Sequence, residues 1–184
     1  MMRLLIAILS VMASAMLSLP GHAQADAAPP SAPNSYRLGI DDKLRVVVYG
    51  ETQLTGEYVI GSEGTVALPL IGAVKAAGLT VAEFQGAITQ AYGTSYIADP
   101  KISVDIVAYR PFYILGEVNK AGQYPYRIGM SVLRAVATAE GFSYRANKKK
   151  VAIQGADGVE RIVPLTPQTP VQPGDTIRIL ERYF

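Results

Sequence analysis

Tyr36-Arg37-Leu38-Gly39-Ile40-Asp41-Asp42-Lys43-Leu44-Arg45-Val46-Val47-Val48-Tyr49 is where the folded part of this 184-residue chain begins. Its Gly-Ile-Asp-Asp segment is a turn signal, because Asp side chains bond nearby backbone amides. The turn feeds a β-branched, partly alternating run over residues 43–49, which reads as a strand. Working outward, residues 58–60 and Thr65–Leu68 flank Gly61-Ser62-Glu63-Gly64, whose glycines suit a hairpin loop. A short strand over residues 73–76 is expected next.

Thr80-Val81-Ala82-Glu83 then matches a capping box, in which hydroxyl and carboxylate satisfy amides at a helix start. Phe84, Ala87, Ile88 and Ala91 follow at helical spacing, so the helix is expected to end by Gly93. Asp99-Pro100 marks a turn, and Ile102, Val104, Ile106 and Ala108 then alternate with Lys101, Ser103, Asp105 and Val107 as a half-buried strand. A second unit opens at Arg110-Pro111, with strands over residues 112–115 and 123–126. Ser131 is a candidate cap for a helix over residues 132–140, with Val132, Leu133, Val136 and Ala137 as its apolar stripe and Gly141 as its stop. Strands over residues 151–153, 160–163 and 176–180 complete a unit of β-grasp proportions. The fold class is therefore α+β. Gly39-Ile40-Asp41-Asp42-Lys43-Leu44-Arg45-Val46 is echoed by Pro173-Gly174-Asp175-Thr176-Ile177-Arg178-Ile179, an echo that common Gly-Asp turn chemistry explains.

Upstream, Arg3, an apolar run over residues 4–19, the breaker Pro20-Gly21 and the small-x-small Ala23-Gln24-Ala25 follow the plan of a secretory signal, with cleavage expected after Ala25. The run is short for a membrane span, which needs about 20 apolar residues. Residues 26–35 are proline-rich and read as a flexible leader. The chain holds no cysteine, so neither a lipid-bearing cysteine nor a disulfide is available.

Cleavage would also remove His22, the only histidine. Without His or Cys there is no Ser-His-Asp triad, Cys nucleophile or ordinary zinc site. Carboxylate pairs remain, and Asp41-Asp42 or Asp99 with Asp105 are the candidates, but turn chemistry and a solvent-facing strand position explain them. No catalytic residue, metal or cofactor is expected. Losing Arg3 from 17 basic residues leaves 16 against 15 acidic, a balance that argues against nucleic acid as a partner. Tyrosine is abundant, with 11 residues against 4 Phe and no Trp. Apolar faces with hydroxyl tips suit glycan surfaces and subunit interfaces. Tyr124, Tyr126 and Tyr144, near Arg127 and Arg145, are the candidate contact surface. Lys148-Lys149-Lys150 is a basic run before a strand, read as a solvated turn or as a contact for an acidic glycan or partner. The terminal Phe184 resembles the ending of outer-membrane barrel proteins, but the chain lacks the length and the alternating segments of a barrel.

The stretch from Tyr36 to Val46, the hairpin Gly61-Ser62-Glu63-Gly64-Thr65-Val66-Ala67-Leu68-Pro69-Leu70-Ile71-Gly72 and the helix over residues 80–91 resemble the export domain of bacterial outer-membrane polysaccharide export proteins. Gly116-Glu117-Val118-Asn119-Lys120-Ala121-Gly122-Gln123-Tyr124 and residues 133–141 are similar to that family's soluble-ligand-binding β-grasp (SLBB) module. Ser62 stands where the family commonly has Asp. The resemblance implies an export domain over residues 36–109, one SLBB module over residues 110–184, and a non-enzymatic role in moving exopolysaccharide or capsular polysaccharide across the envelope. It also implies a homo-oligomeric ring, an inner-membrane polysaccharide copolymerase as partner, and a periplasmic location at the outer membrane. Large members end in an amphipathic helix that lines an outer-membrane pore, whereas this sequence stops at Phe184, so a separate outer-membrane β-barrel is expected as well. The rival reading is a periplasmic β-grasp module that binds a glycan or small ligand without forming a conduit.

Overall fold

The computed structural model describes residues 36–182. The expected signal peptide, its cleavage after Ala25, the leader over residues 26–35 and the terminal Phe184 lie outside the described residues.

Strand β1 (Lys43–Val48) alternates as its sequence demands, with Leu44, Val46 and Val48 buried while Lys43 and Arg45 face solvent. It is the centre of a three-stranded antiparallel sheet, between β2 (Gly56–Val59) and β5 (Ile102–Ala108). The pair β3 (Thr65–Leu68) and β4 (Gly72–Lys75) forms a separate two-stranded hairpin. Helix α1 (Val81–Ser95) starts with a complete capping box: the Glu83 amide donates to Thr80 Oγ1 at 3.2 Å, and the Thr80 amide to Glu83 Oε2 at 2.7 Å. Phe84, Ile88 and Tyr92, four residues apart, form its buried stripe. Ala87 and Ala91 are only half-buried beside it, and the helix continues past Gly93 to Ser95. Tyr92 is fully buried because its hydroxyl finds the Pro69 carbonyl at 3.0 Å, anchoring the hairpin to the helix.

The second unit is a five-stranded sheet in the order β7-β6-β10-β8-β9, built from β6 (Phe112–Gly116), β7 (Gly122–Tyr124), β8 (Ala146–Gln154), β9 (Glu160–Pro164) and β10 (Thr176–Glu181). β6 and β10 run parallel; the other neighbours are antiparallel. Helix α2 (Val132–Thr138) covers one face. With one helix in each unit against these sheets, the class is α+β, as expected.

Several details differ from the sequence reading. β7 stops at Tyr124 because Pro125 has no amide to donate. α2 is shorter than expected, and its buried stripe is Val132, Ala135 and Val136 rather than one including Leu133 and Ala137. Ser131 sits at the cap position but makes no side-chain cap bond; it bridges Pro170, and the Thr169 carbonyl takes the Val132 amide at 3.0 Å. Lys148, Lys149 and Lys150 correct the reading of a turn before a strand, since all three lie inside β8. That strand is nine residues long and splays the lysines on its exposed stretch before Val151 and Ala152 enter the core. The two units keep separate cores, one around Leu44, Phe84 and Ile88 and the other around Phe112, Val136 and Ile177.

Candidate functional site

Two turns of the same design organise the region where the units meet. In the first, the Asp42 amide donates to the Gly39 carbonyl at 3.2 Å and the Asp42 carboxylate takes the Gly39 amide at 2.8 Å. In the second, the Asp175 amide donates to the Gln172 carbonyl at 3.1 Å and its carboxylate takes the Gln172 amide at 2.7 Å. The third residue of each is left-handed, Asp41 at φ 70° and Gly174 at φ 87°. The sequence echo is thus a structural repeat, with each turn launching a strand, β1 or β10.

Arg110 lies between these turns. Its amide donates to Asp42 Oδ1 at 2.8 Å, its guanidinium stands 3.6 Å from Asp42 Oδ2, and its Nε donates to the Pro173 carbonyl at 2.9 Å. The fit is close enough that a Cβ on Gly39 would lie 1.5 Å from an Arg110 guanidinium nitrogen, and one on Gly174 2.8 Å from Nε. Asp42 is fully buried and also receives the Tyr36 hydroxyl at 2.7 Å. A buried carboxylate needs such a set of donors to offset its lost hydration. Both its oxygens are committed, which removes Asp42 from the list of candidate acids and bases. Asp105 faces solvent and Asp99 is paired with Lys101 at 2.9 Å.

Around Arg110 opens a cleft of about 1010 Å³. Tyr36 and Tyr109 of the first unit line it together with Arg110, Tyr126, Ile128, Ile153 and Val163 of the second. The three tyrosine rings meet edge to face, Tyr36 to Tyr109 at 5.0 Å and Tyr109 to Tyr126 at 5.5 Å, while the Arg110 guanidinium stands 5.7 Å from the Tyr36 ring centre. Burial raises all three phenols above their ordinary range, and Tyr36 is pushed furthest because its hydroxyl also donates to the Asp42 carboxylate. Burial likewise raises the Asp175 carboxyl, against the opposing pull of the Gln172 amide and of Arg110. At the rim Arg161 pairs with Asp157, and Thr166 and Thr169 hydrogen-bond to each other at 3.0 Å. The described residues hold no cluster of acidic or histidine side chains suited to a metal ion. The site offers aromatic faces, hydroxyls and amides: equipment for binding.

Of the eight residues singled out by sequence, only Tyr126 lines this cleft. Tyr124 stacks on Phe112 at 6.0 Å and donates its hydroxyl to the Lys120 carbonyl at 2.9 Å. Arg127 is exposed, and its carbonyl takes the Met130 amide. Tyr144 is 86% exposed, and Arg145 pairs with Glu181. Lys148 stands 5.7 Å from the Phe142 ring centre, and the Lys149 and Lys150 amides donate to Asn147 Oδ1. In sequence Tyr36 and Arg110 mark the starts of the two units, and nothing there brings them or Tyr109 to a binding surface. The repeated Gly-Asp turn was the one signal pointing to them.

Comparison with known proteins fits this two-unit layout. Residues 30–107 match the family profile described as polysaccharide biosynthesis/export protein, and residues 110–179 match the SLBB domain. The exopolysaccharide production protein ExoF of Rhizobium meliloti (strain 1021) is 34% identical over 131 residues, covering 65% of this chain and 31% of that protein. The EPS I polysaccharide export outer membrane protein EpsA of Ralstonia solanacearum is 30% identical over 134 residues, 59% of this chain and 35% of its own length. Its namesake from Ralstonia nicotianae (strain ATCC BAA-1114 / GMI1000) is 25% identical over 197 residues, 88% of this chain and 51% of its own length. The chain therefore spans between about a third and a half of these relatives. With an export unit followed by one β-grasp unit, the chain belongs to the polysaccharide biosynthesis/export protein family and carries a single SLBB module.

Proposed function

We propose that this chain works in the export of exopolysaccharide or capsular polysaccharide across the bacterial envelope, as a ring-forming periplasmic component. The observation that carries this reading is the order of two matched units in one chain, export then SLBB, shared in part with relatives named for exopolysaccharide production and export. Tyr113 and Leu115, exposed two residues apart on the same face of β6, supply an apolar surface that self-association would cover. No helix among the described residues is long and apolar enough to cross a membrane. An inner-membrane copolymerase would deliver the polymer.

Fractionation and sizing test the placement together. The chain should be recovered from the periplasm and sediment as a closed oligomer. A monomer that binds short glycans in the periplasm would favour the rival reading of a ligand-binding module, and a cytoplasmic chain would contradict both.

A further inference from the structure

Resting on the export reading, we propose that the tyrosine-lined cleft around Arg110 is a saccharide-binding site that holds a short run of a neutral glycan against both units at once. Three features of the cleft select this ligand. The first is shape, since about 1010 Å³ stands at the upper end of small-ligand sites and leaves room for more than one sugar ring. The second is surface chemistry. A pyranose presents a face of C–H groups with hydroxyls at its edge, and the half-buried Tyr109 and Tyr126 line the cleft with apolar ring surface and polar tips. The Tyr109 hydroxyl makes no hydrogen bond among the described residues, and the side-chain amides of the exposed Gln168 and Gln172, which also line the cleft, are likewise uncommitted. These groups are available to sugar hydroxyls without breaking any existing bond.

The third feature is charge. Each of the three cations lining the cleft already has an anionic partner: Arg37 with Glu83, Arg110 with Asp42, and Arg161 with Asp157. Recognition of a phosphate or carboxylate ligand normally uses a free guanidinium. A cleft whose cations are spent internally suits a neutral polyol. The ion pairs then act as hydrogen-bonding rims rather than as an electrostatic lure. Because the lining residues come from both units, a bound chain contacts the export unit through Tyr36 and Tyr109 and the SLBB unit through Tyr126, so it also favours the pinned arrangement of the two.

The test uses the purified chain and oligosaccharides of four to eight sugars, made by partial hydrolysis of the polymer that its own bacterium secretes. Methyl resonances of Ile128, Ile153 and Val163 should shift on titration while those of Leu44 and Ile88 in the export-unit core stay still. Tyr126→Ala should weaken binding about tenfold, Tyr109→Phe less, and Tyr144→Ala, outside the cleft, not at all. Binding should be equal at low and high salt. If Tyr126→Ala fails to fold, the wild-type methyl map and Tyr109→Phe still decide. No binding at millimolar fragment, or shifts confined to residues outside the cleft, would overturn the site and leave the export role standing. Cleft shifts produced by a proline-rich peptide and not by the fragments would overturn it in favour of a protein partner. Cleft binding in a strain whose secretion does not need this chain would uphold the site and remove the export role.

Discussion

The Gly39–Asp42 and Gln172–Asp175 turns have the same backbone bonds, yet their carboxylates carry different loads. Asp42 holds two backbone amides, a tyrosine hydroxyl and a guanidinium, whereas the side chain of Asp175 holds one amide. Both are nearly inaccessible, at 0% and 5% exposure. Burial without compensation raises a carboxyl's proton affinity, and Asp175 shows that rise. A repeated local motif thus became a joint at one copy and stayed a plain strand-starting turn at the other. The difference lies in Arg110, which gives the first turn an ion pair and an amide bond, and the second a bond to the Pro173 carbonyl with a Coulombic pull on the Asp175 carboxyl that does not offset its burial.

Breaking the joint should have the largest effect. Asp42→Ala strands the Gly39 and Arg110 amides, the Tyr36 hydroxyl and a mostly buried guanidinium, and should cost about 3–5 kcal/mol in urea unfolding. Gly174→Ala comes next. It forces a side chain into φ 87° and a Cβ to 2.8 Å from Arg110 Nε, a loss of about 1–3 kcal/mol by the same measurement. Gly39→Ala meets only the far end of the Arg110 side chain and has no positive φ, so its loss should track the weakened Asp42 pair and largely vanish in an Arg110→Met background.

Asp175→Asn should be the mildest change at this pair of turns, and its sign should depend on pH. Because the folded pKa of Asp175 is raised, its contribution is present at acid pH and lost as pH climbs through that pKa. The Asn variant should therefore gain stability relative to the native chain as pH rises from the ordinary Asp range through the raised pKa of Asp175. A pH-independent difference would show that Asp175 bears no burial penalty. The two helices extend the contrast on a smaller scale: Thr80→Ala should cost about 1 kcal/mol, and Ser131→Ala, which loses no cap bond, close to nothing. Glu83, whose pKa is lowered by the capping bonds, should lose its contribution as pH falls through the carboxylate range, while Glu83→Gln keeps the cap and removes that dependence.

What sequence revealed followed from local rules. Alternation in β1 and β5, the Thr80 capping box and the glycines of the β2–β3 connection are set by neighbours within a few residues. Length and register were less legible, because they depend on what packs above. α2 buries Val132, Ala135 and Val136 and leaves Leu133 only half-buried, and β8 absorbs three lysines whose side chains stay in water, with the Lys149 and Lys150 amides donating to Asn147 Oδ1 and Lys150 facing Pro164 of β9. The cleft was least legible. Tyr36, Tyr109 and Tyr126 lie far apart along the chain, and they converge only because Arg110 ties turns 63 residues apart from its side chain and 68 from its amide.

The role in export is tested most directly by removing the chain from its bacterium and measuring polymer inside and outside the cell. Loss of secreted polysaccharide with polymer retained in the periplasm, reversed by the native chain and poorly by Tyr126→Ala, is the expected result. Secretion at undiminished level without the chain would contradict it.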